Sequence, residues 1–113
     1  MLQILKYNGM NISANKYDAI EKMIYEEAIR IDAIDVHPEL DVMLIILNTK
    51  AVLHQRLSSY KRLNDAAKED LLNYELTGNG TGIHWPGIDE DLSVKGFLRD
   101  ELLSVIKKGT QAA

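Results

Sequence analysis

The sequence predicts an α+β fold, a small antiparallel β-meander packed with an N-terminal helix, short middle helices and a C-terminal helix. Three observations carry this expectation. Residues 15–30 space Ile20, Ile24 and Ala28 four apart, with Met23 and Ile31 beside them and Glu21, Lys22, Glu26 and Glu27 facing away, which is a helix with one apolar stripe. Residues 33–55 divide into short extended runs separated by turn formers. Residues 94–106 return to helical spacing through Val94, Phe97, Leu98, Leu102, Val105 and Ile106.

Taken in order, the first twelve residues place Asn8-Gly9 between two short apolar runs, a tight-hairpin signal. Alternatively the natural start is Met10 and the preceding residues are an extension. Ser13 or Asn15 is positioned to cap the first helix. Ala33–Val36 and Asp41–Leu47 read as strands divided at His37-Pro38-Glu39, because Pro38 removes a ladder donor. The run VMLIIL is continuously apolar, which predicts a central strand covered on both faces. Asn48-Thr49-Lys50 then makes a hairpin loop into a third strand, Ala51–Gln55. Leu57, Tyr60, Leu63, Ala67 and Leu71 suggest one or two short helices with Asn64 or Asp65 as an internal cap. Tyr74–Thr77 is extended again.

The stretch GNGTGIHWPGIDEDLSV, residues 78–94, reads as a glycine turn, a short strand and an acidic helix start. A two-residue period puts Ile83 and Trp85 on one face and His84 on the other, and Pro86 ends the ladder. Asp91 or Ser93 would cap the last helix, where negative charge is favourable. Lys107 and Lys108 complement its C-terminus and Gly109 supplies a stop. The whole of 1–113 is expected to be one domain, with 99–113 as a C-terminal helical extension.

Composition narrows the function classes. Thirteen basic against seventeen acidic residues leave a net charge of -4, which repels polyphosphate, so nucleic acid is not the expected partner. Arg56, Lys61 and Arg62 are the one basic concentration, a solvated surface or, in a weaker reading, a DNA contact. Without cysteine there is neither a disulfide framework nor a thiolate metal site. No apolar run is long enough for a membrane span and no secretory leader pattern opens the chain, so a cytoplasmic setting without membrane contact is expected.

The glycine-rich stretch lacks the Lys-Ser/Thr pair of a phosphate loop and has no helix directly behind its glycines for a dinucleotide site. Ser58, Ser59 and Ser93 sit in no nucleophile-elbow pattern. His84, Asp89, Glu90 and Asp91 crowd into eight positions and contain the residue types that move protons or hold a hard cation. The acids lack calcium-loop spacing, and a histidine without cysteine or a second nearby histidine is a poor zinc signal. The sequence therefore assigns no catalytic, cofactor or metal residue. It leaves His84, Asp89, Glu90 and Asp91 as the surface for a partner or ligand.

The run Tyr74-Glu75-Leu76, then Gly80, Gly82-Ile83-His84-Trp85-Pro86, Ile88-Asp89, Asp91-Leu92, Val94 and Leu98 resembles the signature of a bacterial domain-of-unknown-function family, numbered twenty-four forty-two. Gly80, Gly82, Ile83, Trp85, Pro86 and Val94 form its structural signature, and the resemblance extends from about Asn11 to Leu98. The chain departs from it at Asn48-Thr49, where relatives carry an Asx-Gly turn, at Phe97, often Leu, and in the tail RDELLSVIKK. The resemblance implies a small α+β scaffold without an established reaction, whose genes neighbour another small domain in pairs described as toxin–antitoxin systems. On that basis the expected function is a non-enzymatic, antitoxin-like interaction protein that binds a small partner encoded nearby. The alternative is a small-ligand-binding or hydrolytic domain using His84 with Asp89 and Asp91. A homodimer through Phe97, Leu98, Leu102 and Ile106 is a further expectation.

Overall fold

In the computed structural model the backbone is described for residues 18–112 and the side chains for residues 18–107. The expected hairpin at 1–12, and Ser13 and Asn15, lie outside the described residues. The first helix, α1 (Ala19–Glu26), is shorter than expected and is capped by Asp18 instead, in a reciprocal capping box with Glu21. Asp18 accepts from the Glu21 amide at 2.8 Å, and this bond, aided by Lys95, holds its carboxyl below the usual range.

Ala28, at a positive φ of 51°, breaks the helix and turns the chain toward the first sheet. That sheet is the expected meander, β1 (Ile31–His37), β2 (Val42–Leu47) and β3 (Val52–Gln55), antiparallel with β2 central. Asn48 fastens the corner where α1 ends. Its side chain accepts from the Arg30 amide at 3.0 Å and donates to the Ala28 carbonyl at 3.0 Å. The hairpin loop expected at Asn48-Thr49-Lys50 is present, with Lys50 at φ 79°.

Asp41 closes the 3-10 turn Pro38–Leu40 in a left-handed conformation. Its carboxylate accepts from the Ser58 hydroxyl at 2.6 Å and the Ser58 amide at 2.8 Å, which lowers its pKa. The middle of the chain forms α2 (Lys61–Asn64) and α3 (Lys68–Leu72). Asn64 and Asp65 do not cap the second of these: they end α2, and α3 starts from Ala67 with no side-chain cap. Asp65 is turned instead to Lys61, one helical turn back, at 3.2 Å.

A second antiparallel meander follows, β4 (Glu75–Thr77), β5 (Gly82–Trp85) and β6 (Glu90–Ser93), again with the middle strand central. Here the structure corrects the expected acidic helix start, because Glu90-Asp91-Leu92-Ser93 is a strand paired with β5. The last helix, α4 (Val94–Ala112), begins directly after it. Of the two candidate caps Ser93 is the one used, its hydroxyl accepting from the Gly96 amide at 3.1 Å. Gly109 does not stop this helix, which continues through it to Ala112.

One core joins the elements. Ile24 from α1, Met43, Ile45 and Leu47 from β2, Ile83 and Trp85 from β5, and Val94 and Phe97 from α4 belong to a single buried cluster. Trp85 is fully enclosed and its indole N–H donates to the Leu71 carbonyl at 3.0 Å, so its one polar atom is satisfied. Tyr74 donates to the Ile34 carbonyl at 3.1 Å, tying the entry of the second sheet to β1. Tyr60 donates to Gln55 at 2.6 Å and lies 3.4 Å from Asp100 of α4. Burial, with the Asp100 charge beside it, pushes its hydroxyl up to about 12.

Candidate functional site

In an antiparallel pair, residues directly opposite one another share a face. The register sets His84 of β5 against Asp91 of β6 and, on its other flank, against Glu75 of β4. Ile83 and Trp85 take the opposite, buried face, as the two-residue period predicts. His84 Nδ1 lies 2.9 Å from Asp91 Oδ1, with the imidazole about a quarter exposed and the carboxylate largely so.

Asp89 joins this pair by a turn rather than by strand register. Pro86 ends β5, the Ile88 amide donates to the Trp85 carbonyl at 3.3 Å, and Asp89 takes a left-handed φ of 51° just before β6 begins. Arg62 of α2 donates to the Asp89 main-chain carbonyl and so fixes this corner from outside the hairpin. This turn brings the Asp89 carboxylate beside the other two, and donor atoms of His84, Asp89 and Asp91 all lie within 4.8 Å of one another. Three of the four residues marked out in the sequence thus come together. The fourth, Glu90, sits opposite Trp85; its carboxylate accepts from the Asp91 amide at 3.0 Å and lines a hollow with Lys61, Arg62, Asp65 and Ile88.

Chemically, one imidazole beside two carboxylates can relay a proton or donate three ligand atoms to a cation. The basic residues are placed differently. Lys61 pairs with Asp65, Arg62 is engaged at the Asp89 carbonyl, and Arg56 lies by Asp41, whose carboxyl it helps to lower.

A second histidine cluster escaped the sequence reading. His37, at the end of β1, lies 2.9 Å from Asp35 and 3.6 Å from Glu39. The hydrogen bond to Asp35, then its charge, raises the His37 pKa. The signal was available, since Asp35 and His37 are two apart on one strand, but His37 was read only as part of a turn.

With this geometry in view, the match to known families is direct. The family model described as "Protein of unknown function (DUF2442)" matches residues 33–101. The chain belongs to this family. The matched span runs from within β1 into the first turns of α4 and contains the rest of the first sheet, the whole of the second and the His84 cluster. Two solved structures are similar to the DUF2442 chain. A protein of unknown function from Rhodospirillum rubrum shares 22% identity with a TM-score of 0.58, over 64% of this chain and 87% of its own. An uncharacterized protein from Chromobacterium violaceum shares 26% identity with a TM-score of 0.59, over 80% of this chain and 85% of its own. No curated protein matches the chain.

Proposed function

We propose that this DUF2442 protein is a non-enzymatic interaction protein, the antitoxin-like member of a two-gene bacterial pair, and that it binds a small partner protein. The supporting observation is the outer part of α4. Val94 and Phe97, in its first turns, are buried in the core, whereas Leu102, Leu103 and Val105 are 51%, 48% and 58% exposed. Phe97 therefore does not belong to the docking stripe expected from spacing, and Leu98 is partly buried against the core; Leu102 and Ile106 of that stripe are exposed, and Leu103 and Val105 add to the apolar surface beside them. Clustered apolar surface on water marks a surface that another protein covers. The net charge of -4 favours a basic partner by complementarity, and a cytoplasmic setting accompanies the reading. Among the described residues no helix is long and apolar enough to cross a membrane.

Co-expression with the product of the adjacent gene tests this. The expected result is co-purification and rescue of growth, both lost in the double variant Leu102→Asp, Val105→Asp while unfolding is unchanged. No complex at micromolar concentration together with no rescue overturns it. Light scattering separates a second copy from a different partner, because a homodimer has twice the 12.8 kDa of the chain.

A second reading, a small-ligand-binding or hydrolytic domain using His84 with Asp89 and Asp91, is favoured by their convergence within 4.8 Å. Turnover of a generic ester or phosphoester that is abolished by His84→Ala would support its hydrolytic form.

A further inference from the structure

We infer that His84, Asp89 and Asp91 together hold one divalent first-row transition-metal ion on the outer face of the second sheet. This rests on the second reading above, names its ligand, and is independent of partner binding through α4.

The donor spacing is the first argument. Two ligand atoms about 2.1 Å from a metal ion and at right angles to each other stand about 3.0 Å apart. His84 Nδ1 and Asp91 Oδ1 are already 2.9 Å apart, so one edge of a coordination octahedron exists. Opposite corners of that octahedron are about 4.2 Å apart. The three donors lie within 4.8 Å of one another, and the Asp89 side chain is exposed, with room to turn toward the other two. The ion replaces the proton that the imidazole and Asp91 share, and water fills the open positions.

The chemistry of the donors chooses the ion. Calcium takes six to eight oxygens, while a neutral imidazole beside carboxylates suits the series from manganese to zinc, with nickel and zinc bound more tightly than manganese. Backbone pairing supports the site from beneath. Asp91 and His84 are held opposite each other by the ladder, and β5 is anchored through the buried Ile83 and Trp85. Glu75 shares the face from β4 and adds a third carboxylate to it, while the Arg62 guanidinium is bonded to the Asp89 main-chain oxygen and leaves the Asp89 carboxylate to the site.

Isothermal titration of the full chain with Zn²⁺ and with Ni²⁺ is the test, backed by Mn²⁺ broadening of amide NMR signals. The expected result is saturable binding of one ion, with broadening centred on residues 82–93. Affinity falls roughly tenfold or more in His84→Ala and in the near-isosteric Asp89→Asn and Asp91→Asn. The variant His37→Gln binds as tightly as the parent, because the Asp35–His37–Glu39 cluster is elsewhere. Binding that survives His84→Ala, binding lost in His37→Gln, or no saturable binding at millimolar metal overturns the inference. Tight metal binding without any hydrolysis leaves the metal site standing and removes only the hydrolytic form of the second reading.

Discussion

In the first sheet the central strand β2 is apolar on both faces: Met43, Ile45 and Leu47 are buried, and Val42, Leu44 and Ile46 are half-buried on the other side. In the second sheet the central strand β5 alternates, burying Ile83 and Trp85 and turning Gly82 and His84 the other way. The difference follows through to what lies over each outer face. Beside the first sheet α4 comes alongside β3, where Asp100, Glu101 and Ser104 share a groove with Val42, Val52 and His54. Over the second sheet's outer face stand Glu75, His84, Asp89 and Asp91. A strand that is apolar on both faces is at least half-covered on both, whereas an alternating strand leaves its polar side open for chemistry.

Because both inner faces meet in one cluster, the two sheets should unfold together. The strongest test is Trp85→Ala, which empties the largest buried site and removes the donor to Leu71. A loss of about 3–5 kcal/mol is expected, in a single urea transition that melts both sheets at once. Two resolved transitions would separate the sheets energetically.

Next in size is the contact between the glycine turn and the start of the first sheet. Gly80 has a φ of 92°, and a methyl there would lie 3.1 Å from Arg30 Cβ and 3.2 Å from the Ile31 carbonyl. Gly80→Ala should cost about 1–3 kcal/mol, from the left-handed backbone and the close approach together. An unchanged urea midpoint would show that the turn yields without disturbing β1.

A smaller contrast separates the two faces of β2. Ile45→Val, on the fully buried face, should cost about 0.5–1.5 kcal/mol. Ile46→Val makes the same chemical change on the half-covered face and should cost less. Equal values by denaturant unfolding would mean that the half-covered face is packed as tightly as the core.

The smallest expected effect compares the two histidine clusters. The folded chain raises the His37 pKa, so it holds that proton more tightly than the unfolded chain does. The resulting stabilisation is complete below the ordinary histidine value of about 6.5 and is lost as pH rises through the raised value. The difference in unfolding midpoint between the parent and His37→Gln should therefore be widest below about pH 6.5 and close as pH rises through the raised value. A gap that widens on the alkaline side would rule out the Asp35 contact as its source.

Much of this fold was legible because periodicity is local. The stripe of Ile20 and Ile24, the three strands of the first sheet, the burial of Trp85 and the outward turn of His84 follow from spacing within a few residues. So did the crowding of His84, Asp89 and Asp91, although not its geometry. Glu90–Ser93 was misread because acidic residues favour helix starts, and nothing local announces that the free edge of β5 will pair with them. The same pairing turns Glu90 away from the three residues it accompanies in sequence. Gly109 and Asn64 failed as punctuation because a cap signal states a preference of no more than a few kcal/mol and does not by itself end or start a helix.

By itself, then, the sequence determined that Ile24, Ile83 and Trp85 lie inside, which strand is central in the first sheet and which family signature the chain carries, since each depends on residue type at fixed spacing. Only the tertiary structure decided that an acidic run becomes a strand, that Asp91 faces His84 across a ladder, and that a left-handed turn delivers Asp89 beside them. Those outcomes depend on hydrogen bonds between strands, and the partner that satisfies a backbone group is a property of the fold rather than of the residue.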